Sequence, residues 1–339
     1  MTIKKGRRRV ATLILVLLPI AAFFLSISVG RYTISPGTGF NILMSNIFPI
    51  APTWTDIEEL IVLKIRLPRV LLAMMVGSGL TVAGASFQGL FRNPMVSPDI
   101  LGVSAGAGFG ACLGILLSGK IIVIQSLAFG FGIIAVLGVY IVSRRKTETS
   151  LLMLVLFGVI IGSFFSALIG FVKYVADPED QLPAIVYWLL GSMAGASYKD
   201  IIWGAPPILI GCAILLSVRW KINILSLGEE EARSLGINTK WLKSMLIMAA
   251  TIITAASVSL CGIVGWIGLV IPHIARMLVG PDHKSLLPAC VSIGALSLLI
   301  IDSIARTATA GEIPLSILTA IIGAPFFAYF LRRTGGNWA

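Results

Sequence analysis

Charge is what this sequence has least of. Only 12% of its 339 residues are Asp, Glu, Lys or Arg, about half the roughly 25% expected of a soluble domain. Four long stretches, Val10–Gly30, Val70–Phe91, Ile121–Ser143 and Ser150–Val172, contain none of the four. The chain has two histidines, too few and too far apart for a histidine-based metal centre. Its four cysteines (Cys112, Cys212, Cys261, Cys290) lie far apart inside apolar runs without metal-ligand spacing, so they read as small core residues. No G-x-x-x-x-G-K-[ST] loop occurs, which excludes nucleotide hydrolysis by that route. The glycine-rich "GVSAGAGFGA" has no soluble strand before it and no nearby lysine, so it reads as helix packing.

What is present is apolar length. Hydrophobic residues make up 57% of the chain and mean hydropathy is +0.97. About 20 apolar residues cross a bilayer as a helix, and such runs fill most of the sequence. The short alternating segments of an outer-membrane barrel are absent. The fold class is therefore all-α and polytopic, one membrane domain over residues 1–339. Breakers divide it into about ten spans: 10–30, 68–91, 100–118, 121–143, 151–171, 200–218, 243–262, 265–280, 285–302 and 314–331. The first run, after "KKGRRR", is longer than the apolar region of a signal peptide and is expected to stay as a helix. The least distinct division is the seventh from the eighth, at Gly262–Gly265.

Lys and Arg set the orientation. With both termini cytoplasmic, segments 1–9, 92–99, 144–149, 219–243, 276–284 and 332–339 hold 18 of the 26 basic residues, and the other side holds 8. The positive-inside rule favours this arrangement. The net charge of +11 thus reflects topology, and nucleic acid is not an implied partner. Arg66 and Arg69, in "KIRLPR", are a cluster on the minority side, together with Lys64.

Small residues recur every fourth position, as Gly106, Gly110, Gly114 and as Gly158, Gly162, Ser166, Gly170. Such rows let helix backbones approach where apolar contact alone gives no driving force. The ionisable residues Asp99, His273, Arg276, Asp302, Arg306 and Glu312 all fall near predicted helix ends. Ion-coupled carriers place such groups inside spans, so that class is disfavoured, and an intramembrane enzyme lacks any catalytic constellation. The cytoplasmic loop 219–242 carries "EEEARSL" between Gly228 and Gly236, a capped short helix that is either a partner contact or a solvated surface. On the other side, residues 184–194 suit a short helix over the pathway opening, with Tyr187 and Trp188 as candidate path or gate residues or as interfacial anchors.

Four stretches, "RLPRVLLAMMVGSGLTVAGASFQGLFRNPMVSPDILGVSAGAGFGA" (66–111), "LSLGEEEARSLGI" (225–237), "GIVGWIGLVIPHIARMLVGPDHKSLLP" (262–288) and "DSIARTATAGEIPLSILTAIIGAPFFAYFLRR" (302–333), resemble the permease subunits of type II ABC importers for iron complexes and vitamin B12. The resemblance implies a type II permease fold with inverted repeats, two permease chains (homodimer or heterodimer) around one path, two ATPase subunits and an extracytoplasmic substrate-binding protein. It implies a multi-pass protein of a prokaryotic cytoplasmic membrane, no chemistry on the cargo, no cofactor and no metal. A ferric siderophore is the leading cargo, with cobalamin, haem or a molybdate-type oxyanion as alternatives. By motif, Glu231, Ala232, Arg233 and Gly236 would contact the ATPase, and Arg66, Arg69 and Arg306 would dock the binding protein. Guanidinium forks suit carboxylate partners. Headgroup binding or snorkelling, or neutralisation of Arg306 by Asp302 one turn earlier, are the structural alternatives. Lys64 has no assigned role.

Overall fold

A computed structural model describes residues 5–143 and 151–334, so the basic segment 144–149 and the ends of the two terminal ones lie outside the described residues. In chain order the helices are α1 (Lys5–Ser28), α2 (Pro36–Ser45), α3 (Asp56–Leu60), α4 (Leu67–Phe91), α5 (Val103–Leu117), α6 (Ile121–Ser143), α7 (Leu151–Val175) and α8 (Gln181–Leu190). There follow α9 (Tyr198–Ser217), α10 (Arg219–Leu227), α11 (Glu229–Ser234), α12 (Thr239–Cys261), α13 (Ile267–Val279), α14 (His283–Ala305) and α15 (Leu315–Thr334). A helix lies at each of the ten expected places. Among the described residues six helical segments are long and apolar enough to cross a membrane by length and composition, the first running unbroken from Asp56 to Phe91.

Capping chemistry fixes several starts. Thr55 with Glu58 and Ser197 with Asp200 form capping boxes, each satisfying two orphan backbone donors. The Asp282 carboxylate accepts the Lys284 amide at the head of α14. Pro68 would cost a continuous helix one hydrogen bond. The chain absorbs this with a π-helical stretch, Ile61–Arg66, ahead of α4, and such turns change the phase of the side chains that follow.

α4 and α12 are buried on most sides and form the centre, while α6 and α7 are largely uncovered. Glycines set the crossings. A β-carbon at Gly77 would collide with the Gly294 carbonyl, and one at Gly84 with that of Gly268, so α4 meets α14 and α13 backbone to backbone. The row Gly106, Gly110, Gly114 packs on α6 at Phe131, Leu127 and Ile124, as its spacing predicts. Only half of the other row is used. Gly158 sits against Ile100, whereas Gly170 faces open space and the Ser166 hydroxyl bonds its own helix. The outer face of α7 is thus left for lipid or a partner.

Two long central helices are each followed by a break in the α-helix and then a short helix: α4, residues 92–102 (with a 3-10 turn at Pro98–Leu101) and α5, and later α12, residues 262–266 and α13. Corresponding breaks in two halves of a chain are the mark of a repeat-built transporter. The two breaks meet. Ser97, Pro98 and Asp99 share a cavity of about 260 Å³ with Val264, Gly265, Trp266 and Leu80 of mid-α4. This corrects one expectation, since Asp99 lies at the level of mid-α4, held by the Ser104 hydroxyl. The stretch 92–102 turns back into the bundle, so a position near a predicted helix end is not near the bundle surface. Irregular backbone at such depth requires cover by protein or a water-lined cavity.

Candidate functional site

At one end of the bundle the π-helical turn aims Arg66 and Arg69, three residues apart, into the same interior. Arg66 Nη1 donates to the Ile27 and Ser28 carbonyls at 2.6 and 2.9 Å, and Nη2 to that of Tyr32. These carbonyls lie at and just beyond the C-terminus of α1, where unpaired acceptors carry partial negative charge. Gly30 leaves the space, because a β-carbon there would fall 2.5 Å from Arg66 Nη2. Arg69 holds two carboxylates. Its Nη1 and Nη2 reach Glu312 Oε1 and Oε2 at 2.8 and 2.9 Å, and Nε donates to Asp302 Oδ1 at 2.9 Å. Arg306 Nη2 donates to the backbone and hydroxyl oxygens of Ser26, both at 2.6 Å, while its Nε lies 3.7 Å from Asp302 Oδ2.

The three arginines were expected as outward-presented forks, and the structure places them otherwise. Arg66, Arg69 and Arg306 are 4%, 5% and 6% exposed, and each donates to groups of the same chain, while the Arg306 Nε has the Asp302 charge nearby without a hydrogen bond. They tie α1, α4, α14 and the loop before α15 together. Burial alone pushes the Glu312 carboxyl up, but the hydrogen-bonded Arg69 outweighs it and holds the group below its ordinary value. Exposed cations at this end include Arg31 and Lys64, the second of which has no assigned role.

The opposite end carries α10 and α11. Glu231, Arg233 and Gly236 are exposed, and Gly236 ends α11 in the left-handed conformation at φ +78°, as helix stops favour. Ala232 is fully buried in the main core and so anchors α11 without offering a surface, a correction to its expected contact role. Glu229 holds Lys243 and, at 3.3 Å, Arg233. Apolar side chains supply the outward surface. Leu227, Leu235, Trp241 and Trp220 all face out, and Lys221 Nζ bridges the two tryptophan rings at 5.6 and 5.8 Å. Clustered exposed apolar groups mark interaction surfaces. In the sequence they flank the charged "EEEARSL" motif, whose charge pattern is the more conspicuous signal.

α8 is the short helix expected over the pathway. Its end is bonded on both sides, by Ser192 N–H to the Cys261 carbonyl at 2.9 Å and by Leu315 N–H to the Gly191 carbonyl at 3.0 Å. It thereby connects the ends of α12 and α15. Tyr187 is exposed and Trp188 half-buried against a second apolar cluster with Phe109, Ile169 and Ile263. Among the described residues no three His, Cys, Asp or Glu side chains converge as metal ligands.

Residues 16–333 match the FecCD transport family. The chain is 40% identical over 328 residues to the molybdate import system permease protein MolB of Haemophilus influenzae, spanning 95% of this chain and 96% of that protein. It is 38% identical over 335 residues to the Fe(3+)-citrate import system permease protein YfmE of Bacillus subtilis, covering 98% and 97% of the two. A solved metal-chelate type ABC transporter in an inward-facing conformation superimposes with a TM-score of 0.86 at 37% identity, over 96% of this chain and 99% of that one.

Proposed function

This chain belongs to the FecCD transport family, and from that premise we propose that it forms the translocation path of an ATP-driven importer for a metal-containing complex. The observation that carries the reading is the family match over residues 16–333, within which the two breaks, the short helix α8 and the α10–α11 surface all fall. The chain is a transport subunit of an ABC importer and not an enzyme, and ATP hydrolysis belongs to a partner.

In this reading all ten long helices span the cytoplasmic membrane with both termini inside. Two copies, or this chain and a relative, pair around the path, two ATPase subunits dock on the α10–α11 end, and a substrate-binding protein delivers cargo at the arginine end. Glu231, Arg233 and Gly236 contact the ATPase alongside Leu227, Leu235, Trp220 and Trp241. Tyr187 and Trp188 of α8 act near the gate, where their helix joins α12 to α15. Docking at the other end either recruits Arg66, Arg69 and Arg306 by exchange of their internal partners or falls to the exposed Arg31 and Lys64. Charge reversal of Arg31 and Lys64, compared with reversal of Arg66 and Arg306, decides between them by which pair abolishes binding-protein stimulation of ATPase activity.

A ferric siderophore is the leading cargo. The YfmE relative, an Fe(3+)-citrate permease by name, supports iron. Molybdate is the second reading, supported by the similarity to MolB across nearly the whole chain. Uptake of radiolabelled ferric siderophore and of radiolabelled molybdate by vesicles holding the assembled importer separates them. Uptake of neither would overturn both cargo readings.

A further inference from the structure

A cavity of about 480 Å³ opens beside α10, at the end of the bundle opposite the buried arginines. Its walls come from α4, α10, α13, α14 and the start of the 92–102 stretch, and two arginines line it, the exposed Arg92 and the half-buried Arg276. Neither meets a carboxylate among the described residues. Arg276 Nη2 donates to the neutral Gln88 amide oxygen at 2.9 Å, and among the described residues no hydrogen bond or ion pair engages the Arg92 side chain. The carboxylate on the wall, Asp282, is occupied elsewhere, accepting from Asn223 Nδ2 at 2.6 Å and from the Lys284 amide at 2.9 Å. Asn223 also accepts from His283 Nδ1 at 2.8 Å.

Arg92 is held in an unusual way. It ends α4 in the left-handed conformation, φ 50° and ψ 36°, a position that glycine takes freely and that costs other residues about 1–2 kcal/mol. Helix termination alone would favour glycine here. A strained arginine at the rim of a cavity already holding an unneutralised arginine invites a functional account.

We propose that this cavity binds a tetrahedral oxyanion of the phosphate class, with Arg92 and Arg276 as its cationic clamps and Asn223, Ser226 and Asn93 as the polar wall. Guanidinium forks match such oxygens bidentately. The same chemistry is offered by free phosphate and by the headgroup of an anionic phospholipid, and basic pockets between membrane helices take such headgroups.

The test uses the purified full chain in nanodiscs with no ATPase present. One arm measures binding of radiolabelled inorganic phosphate in pure phosphatidylcholine discs by equilibrium dialysis. The other measures retention of phosphatidylglycerol from mixed discs by native mass spectrometry. Arg92→Gly removes a cation while giving the left-handed position its preferred residue, and Arg276→Gln retains a polar partner for Gln88, so both variants should melt with the wild type. The exposed Lys284→Gln is the surface-charge control. Each arginine variant should weaken whichever probe binds by about tenfold or more, the scale of a lost charge-assisted hydrogen bond, and the control should not. Phosphate binding assigns a soluble oxyanion, and phosphatidylglycerol retention alone assigns a lipid headgroup. Binding of neither probe, or equal binding by wild type and both variants, would overturn the proposal.

Discussion

The two ends of the bundle treat their arginines in opposite ways. At one end Arg66, Arg69 and Arg306 are buried against carbonyls, a serine and the carboxylates of Asp302 and Glu312. At the other, Arg92 and Arg276 line a cavity and pair with no carboxylate among the described residues, and Leu227, Leu235, Trp220 and Trp241 are exposed at the same end. The first end closes on itself, and the second presents itself. Charge content alone would not separate them, because what matters is whether each guanidinium finds its counter-charge within the chain.

The sharpest way to break this contrast is to remove the counter-charge at the closed end. Asp302→Ala leaves Arg306 without its carboxylate and Arg69 with Glu312 alone, and losing one partner of a buried ion network costs roughly 3–5 kcal/mol. A large fall in melting temperature in detergent is expected. Arg66→Ala follows, leaving three carbonyl acceptors without their donor at a cost of roughly 1–3 kcal/mol, read by the same melt. Glu312 gives a smaller, pH-dependent effect. Its folded carboxyl lies below the ordinary value of 4.5, so the stability from its pairing with Arg69 is complete above pH 4.5 and lost as pH falls through the lower folded value. Glu312→Gln should flatten the melting temperature across that acidic window, while the wild type loses stability there. At the open end Leu235→Asp should leave the melt within about 0.5 kcal/mol of wild type, as for an exposed position, yet abolish co-purification of the ATPase. A melt lowered as far as that of Asp302→Ala would mean that the α11 patch is structural.

Much of the fold could be read in the residues. Charge-free runs and their breakers located the ten helices, including the division between α12 and α13 at residues 262–266. The small-residue row of α5 found its partner in α6. The direction of the arginines could not be read, for two physical reasons. The π-helical turn before Pro68 changes the phase in which Arg66 and Arg69 point, and the carboxylates that hold Arg69 come from 233 and 243 residues away. Ala232 was misjudged for a related reason, since six residues of α11 are too few to display a periodic face. Asp99 was misplaced because a stretch that turns back into the bundle resembles an ordinary loop in sequence.

The central claim, that this chain is a path without its own energy source, is tested most directly in sealed proteoliposomes. The chain would be co-reconstituted with its ATPase and binding protein, and radiolabelled cargo accumulation followed with and without ATP. Accumulation that needs ATP, the ATPase and the binding protein together, and that ignores imposed proton or sodium gradients, is the predicted result. Gradient-driven accumulation by the chain alone, with the ATPase absent, would contradict it.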